Sequence, residues 1–345
     1  MTSRRSASPQ PPITDTAQLE VGQGGRFLGV DVGGTSIKWS VLQGGVVEAT
    51  GSIDTPRVDH RVVIRAVADL AHEVAQDLAG IGVAVPGTVD PARRRSVFIP
   101  NLPGDWNDFA VAAELEQLVG VSVALLNDAR AFAWAEHTSG SARGIPNAVF
   151  ITLGTGVGGA IALDGRILVG ELDSIGEMGH VPVDPRGERC ACGGRGCLET
   201  IASGSAIVGR LARTVAMAQS PILRRLTKQG AVPLTARLVA DAARLGDPWA
   251  KDAFDRAADA LGQAAGTIGL LLQLDVVVIG GGLSPAADLY LPRIQESLDS
   301  RTSLTGRIEA RTAHYGSEAG SIGAATFAAQ QISDTKTKPT SERTY

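Results

Sequence analysis

Cysteine is scarce in this sequence, aromatic residues are few, and no long apolar run occurs. Each shortage removes a class of protein. Three cysteines stand among 345 residues. An odd number fits a disulfide framework poorly, so a secreted scaffold stapled by disulfides is not expected, and a reducing cytoplasmic setting is. Aromatics make up 4% of the chain, so Ala, Val, Leu and Ile must build the core. No run approaches the roughly 18 apolar residues of a membrane span. Residues 1–25 hold Arg4 and Arg5 but no apolar segment, which argues against a secretory signal. Charge of one sign is also lacking: 32 basic against 36 acidic residues give a net charge of -4. Without a basic stripe or a polybasic helix, neither nucleic acid nor a membrane surface is an expected partner.

The few cysteines are not scattered. Cys190, Cys192 and Cys197 lie within eight residues, and His180 precedes them by ten. Three thiolates and an imidazole form the ligand set of a closed tetrahedral zinc site. Glycine is plentiful, with 42 residues, and it gathers in short turns. The Ser-, Pro-, Gln- and Thr-rich residues 1–25 and the last residues, 332–345, read as disordered tails.

Between the tails, apolar runs and glycine turns alternate with helical periodicity. Phe27–Val32 and Ile37–Leu42 read as strands around Gly33-Gly34-Thr35, with a third strand near Val46–Ile53. Helical spacing runs from Val62 to Leu78, a buried strand covers Ile81–Val85, a helix lies near Phe109–Val119, a strand spans Val121–Leu126, and a helix starts near Ala129. The pattern then restarts. Ala148–Leu153 and Ala160–Leu163 flank a second glycine turn, a long helical stretch covers Pro248–Gln273, and Asp275–Ile279 is a buried strand. A strand near Ile308 and a small-residue helix, Ala319–Gln330, close the chain. Two similar halves of this kind predict α/β architecture with partly parallel sheets, in which ligands sit at strand carboxyl ends.

Each glycine turn admits two readings. At Asp31-Val-Gly33-Gly34-Thr35, bare backbone N–H groups could approach a phosphate, with Asp31 near Mg²⁺ and Lys38 as a charge partner. An ordinary tight hairpin would look the same. Gly154-Thr155-Gly156-Val-Gly-Gly159 matches G-x-G-x-x-G, but the fingerprint of dinucleotide sites needs a following helix, and Ala160–Leu163 reads as a strand. A phosphate-binding hairpin is therefore preferred to a nicotinamide site. Gly280, Gly281 and Gly282 end a β-branched run. They suit a planar group lying on bare backbone, and equally a turn into a helix with Pro285 near its start. Asn127-Asp128 precedes a helix, where both types are favoured caps. By spacing alone Asp128 reads first as a cap, and second as a general base at a strand end. Glu177 and Glu199 flank the cysteine cluster as acceptors for hydroxyl groups, and zinc on His180 would fix its ring while leaving one nitrogen for substrate.

Together these runs resemble the ROK family of sugar kinases and sugar-responsive repressors, over about Arg26–Gln330. The most specific stretch is Glu177-x-Gly-His180 followed by Cys190-x-Cys192-Gly-Gly-Arg-Gly-Cys197-Leu-Glu199. Asp31–Lys38, Leu153–Gly159, Pro86–Asp90, Asn101–Gly104 and Asn127–Ala129 also match. The resemblance implies an actin-like, hexokinase-type duplicated fold, with two α/β domains and the active site in the cleft between them. The expected domains are residues 26–132 plus about 313–331, and residues 133–312. The resemblance also implies Asp128 as catalytic base, Gly87, Asn101, Asn127, Glu177, His180 and Glu199 around the sugar, and the two hairpins with Gly280–Gly282 around ATP and Mg²⁺. Structural Zn²⁺ on His180, Cys190, Cys192 and Cys197 and a homodimer or homotetramer follow in the same way. The expected reaction is ATP-dependent phosphorylation of a hexose, glucose first, with N-acetylmannosamine or N-acetylglucosamine kinase or a non-catalytic sugar sensor as alternatives. Polyphosphate as donor stays open. Arg130 departs from the Asn that many glucokinase-like relatives carry there, which bears on sugar preference. The family's repressors carry an N-terminal helix-turn-helix, and the residues before Arg26 show no paired amphipathic helices.

Overall fold

The computed structural model describes residues 25–99, 102–170, 173–213, 219–300 and 302–337. They form two compact units: 1–143 with 169–175 and 317–345, and 144–168 with 176–316. Among the described residues no helix is long and apolar enough to cross a membrane.

The first unit is built on five strands, β1 (Arg26–Val32), β2 (Ser36–Gln43), β3 (Val46–Asp54), β4 (Leu78–Val85) and β7 (Val123–Asn127), in the order β3-β2-β1-β4-β7. β1 and β2 pair antiparallel, as do β2 and β3. β1, β4 and β7 run parallel. The parallel strands are nearly continuous apolar runs because both faces are covered. Helix α1 (His60–Val74) is capped by Asp59, whose carboxylate accepts from the N–H groups of Arg61 and Val62. It packs its apolar face with α2 (Val111–Val119) into one core with Leu28, Val30, Ile81 and Val83. A small hairpin, β5 (Thr88–Val89) and β6 (Ser96–Phe98), follows β4.

The second unit repeats this plan with β8 (Ala148–Leu153), β9 (Val157–Leu163), β10 (Arg166–Ile167), β11 (Val276–Gly280) and β12 (Glu309–Thr312), ordered β10-β9-β8-β11-β12. Its pairings are antiparallel in β8–β9 and β9–β10 and parallel in β8–β11 and β11–β12. Each sheet therefore reads third, second, first, fourth, fifth strand, with the same directions. The long helix Pro248–Leu272, capped by Asp247, supplies Ala253, Phe254, Ala257 and Leu261 to the core.

Several expectations shift. The boundary expected at residue 132 would cut helix α3 (Asp128–Thr138), which runs unbroken because Asn127 caps it and Ser139 N–H closes its last turn on Ala135 O. Residues 169–175 belong with the first unit, not the second. The last helix covers Ala319–Thr337, past the expected tail start at 332, because nothing in that stretch breaks a helix. Helix α2 begins at Val111, two residues after Phe109.

Candidate active site and metal centre

In the first unit the candidate residues gather at strand carboxyl ends. Asp31, at the end of β1, faces Lys38 across the hairpin. It is half-buried, and its carboxyl is raised from 3.8 to about 7, first by burial and then by the Asp128 carboxylate, with Lys38 opposing. The Lys38 ammonium donates to Ser317 O at 2.9 Å. The turn between β1 and β2 leaves Gly34 and Thr35 exposed, and Gly33 N–H closes it on Ser36 O at 3.1 Å. Thr55, overlooked in the sequence, props this loop: its hydroxyl donates to Gly33 O at 2.6 Å and its N–H to Thr35 O at 3.0 Å. Only the β2–β3 pairing brings Thr55 there, so no local motif announced it.

Asn127 and Asp128 take different places at the start of α3. Asn127 is the cap, its side-chain oxygen accepting from Ala129 N at 2.9 Å and Arg130 N at 3.2 Å. Its amide donates to Gly87 O at 2.8 Å, across strand ends already in register at Val85 and Asn127. Asp128 is the first helical residue and is exposed, with Oδ1 at 2.8 Å from Ala129 N. The reading of Asp128 as cap is thus corrected, because a cap precedes the helix and that place belongs to Asn127. Asn101 lies outside the described residues. Arg130 is buried, 1% exposed, and its guanidinium meets Asn127, Ile175 and Asp173.

In the second unit the β8–β9 turn repeats the first hairpin. Gly154 N–H closes it on Gly156 O at 3.0 Å, and Thr155 is exposed at its tip. The strand after it leaves no room for a dinucleotide-site helix. Glu199, which opens helix α4 (Glu199–Ala202), accepts from Val157 N at 2.9 Å beside this turn. A Cβ on Gly156 would lie 2.4 Å from that carboxylate. Gly280 ends β11 opposite Thr152. Gly281 has φ +88 and lies too close to Leu153 O for a side chain, whereas Gly282 is open. The reading of this glycine run as a turn into a helix holds, since a short helical turn with Pro285 and then the helix Ala287–Asp299 follow.

Glu177 precedes a turn of 3-10 helix, Met178–His180, and is half-buried. That turn carries His180 to the cysteine loop. Cys190 Sγ lies 3.6 Å from His180 Nδ1, and Cys192 Sγ 3.6 Å from Cys197 Sγ. All four donor atoms fall within 4.8 Å of one another. Ligands about 2.0–2.3 Å from a tetrahedral zinc stand roughly 3.3–3.8 Å apart, a range that the two pairs at 3.6 Å meet. The electrostatics fit as well. Burial pushes the Cys197 thiol up to about 12, a cost that a bound cation reverses, while the Gly194 N–H pulls the exposed Cys192 down. With Nδ1 turned toward the sulfurs, Nε2 lies on the far side of an exposed ring.

Comparison with known proteins places the chain among sugar kinases by sequence and fold. A glucokinase of Thermotoga maritima is 33% identical over 314 residues, 89% of this chain and 98% of that protein. An N-acetylmannosamine kinase of Yersinia pestis is 33% identical over 307 residues, 88% of this chain and 98% of its own length. The crystal structure of a ROK family glucokinase from Streptomyces griseus in complex with glucose and AMPPNP shares 33% identity, with a TM-score of 0.76 over 89% of this chain and 100% of that one. The duplicated α/β architecture is that of the actin-like ATPases. Residues 27–331, from the first strand into the last helix, match the ROK family, and the chain belongs to it.

Proposed function

We propose that the protein is an ATP-dependent sugar kinase that transfers the γ-phosphoryl group to a hexose hydroxyl, with glucose as the first candidate acceptor. The observation that carries this reading is the exposed Asp128 carboxylate at the carboxyl end of β7, in a chain whose two units each end their first strand in a glycine hairpin. A carboxylate there can take a hydroxyl proton, and bare N–H groups can stabilise charge on transferring phosphate oxygens.

In the proposed reaction Asp128 accepts the proton of the attacking hydroxyl. The sugar oxygen bonds to the γ-phosphorus as the bond to the bridging oxygen breaks, and ADP leaves with that electron pair. Asn127, Glu177, His180 and Glu199 orient sugar hydroxyls, and Gly87 and Asn101 complete the proposed sugar-binding set. Gly33, Gly34, Thr35, Gly154, Thr155 and Gly156 take the phosphates, Lys38 adds positive charge, and Gly280, Gly281 and Gly282 seat the nucleoside. Mg²⁺, held through Asp31, would neutralise phosphate charge. Burial and then the Asp128 carboxylate raise the Asp31 carboxyl, and a cation bound there would offset both. Zn²⁺ on His180, Cys190, Cys192 and Cys197 would fix the loop that carries His180 and supply no chemistry to the transfer. A homodimer or homotetramer is the proposed assembly and the cytoplasm the proposed location, by resemblance to the family.

A second reading, N-acetylmannosamine phosphorylation, is favoured by the Yersinia pestis relative, which matches as closely as the glucokinases do. A coupled ADP-release assay with Mg-ATP across glucose, mannose, N-acetylglucosamine and N-acetylmannosamine separates the two. Turnover highest on glucose supports the first reading, turnover confined to an N-acetyl sugar supports the second, and none on any sugar refutes the kinase.

A further inference from the structure

We propose that Arg130 is a positioning residue for the sugar. In this role it locks the Asn127 amide as a pure hydrogen-bond donor. The inference rests on the reading of Asn127 as a sugar ligand. Arg130 is 1% exposed and heads the fully buried side chains by volume. Its Nη1 donates to Asn127 Oδ1 at 3.1 Å and its Nη2 to Ile175 O at 2.6 Å. Its Nε stands 3.9 Å from Asp173 Oδ1, and Asp173 Oδ2 is also paired with Arg93 Nη1 at 2.7 Å.

Hydrogen-bond capacity decides what this does. Asn127 Oδ1 already accepts from the backbone N–H groups of Ala129 and Arg130. The guanidinium adds a third donor, and a charged one, on the same oxygen. Nδ2 gives one hydrogen to Gly87 O. The amide cannot flip without setting its NH₂ against three donors, and its one remaining N–H can only donate. A ligand group facing Asn127 must therefore accept, as a hydroxyl oxygen does. The same fork holds the Ile175 carbonyl, two residues before Glu177 in the chain. A lysine cannot reproduce this, since one ammonium lacks the fixed fork. Because Arg93 keeps its own pair with Asp173, replacing Arg130 by an apolar residue leaves that buried carboxylate with a partner.

The test uses the full chain and four variants: Arg130→Met, Arg130→Lys, Asn127→Ala and the Met/Ala double substitution. Glucose and Mg-ATP kinetics are combined with calorimetric glucose binding and melting curves. Arg130→Met is expected to raise the glucose KM and Kd about tenfold, with kcat and the ATP KM within about threefold. In the Asn127→Ala background the same change should shift glucose binding by less than about threefold, because the residue it acts through is gone. Arg130→Lys, which keeps a buried charge opposite Asp173, should show the same split and serves if the Met variant does not fold. Unchanged glucose binding in either variant, full additivity with Asn127→Ala, or parallel loss of kcat and both KM values would overturn the assignment. Should the parent chain bind glucose without phosphorylating it, the kinase reading fails while the Kd comparison still decides Arg130. A parent that binds neither glucose nor N-acetylmannosamine refutes both.

Discussion

Asp31 and Asp128 stand at the carboxyl ends of two strands of one sheet, and the burial of Asp31, with repulsion by Asp128 second, is a cost the fold bears. With Asp31 raised from 3.8 to about 7, the charged form is disfavoured in the folded protein. Stability from this group is present in full below pH 3.8 and is lost as pH rises toward and through 7. Asp31→Asn is expected to stabilise the protein by about 1–2 kcal/mol at pH 8 and by nearly nothing at pH 4, discounted for the partial exposure of the group, while activity falls sharply. Melting curves at the two pH values check this, and equal shifts at both would contradict it. Of the residues here, the cysteines were legible because their neighbours in sequence are their neighbours in space. Thr55, Asp173 and Glu318 were not, since sheet pairing, a buried ion pair and the return of the last helix bring them to the site from afar.

Among the elements, the glycine turns separate structural from functional glycines. Gly281 could not carry a Cβ without meeting Leu153 O at 2.6 Å, whereas a Cβ on Gly282 finds that atom only at 3.8 Å. Gly282→Val should therefore leave the melting temperature within about 2 °C and raise the ATP KM about tenfold or more by occupying the bare backbone proposed to seat the nucleoside. A normal ATP KM would remove this turn from the nucleotide site. The cysteine loop makes a different prediction. Cys192→Ser should abolish stoichiometric zinc in metal analysis and lower the melting temperature by several degrees, because metal affinity is folding energy for so small a loop. Full zinc occupancy in that variant would refute the ligand set. The elements themselves were readable from periodicity, with edges off by a few residues where caps set the true start. Asn127 caps α3 and Asp128 is its first residue, and the final helix outlasts its small-residue stretch.

For the whole molecule, the repeated strand order explains why one sequence carries two glycine hairpins. Each sheet opens with a hairpin and turns parallel, so each presents its turn beside parallel strand ends. The duplication was visible in the sequence, but the strand order and the return of the chain at 169–175 were not, since both depend on contacts far apart in the chain. The first unit is closed by its last helix, which lies so near the sheet that a Cβ on Gly82 would meet Ala324 O at 1.8 Å. Gly82→Ala should cost about 3 kcal/mol or more and reduce soluble yield, and a normal denaturation midpoint would contradict this packing. The central claim, that Asp128 takes a sugar proton during phosphoryl transfer, is tested most directly by Asp128→Asn. ADP release with glucose or N-acetylmannosamine and calorimetric binding of the same sugar would be measured side by side. A fall in kcat of about 10³-fold with sugar affinity kept within about threefold is the predicted result, and turnover within tenfold of the parent would contradict it.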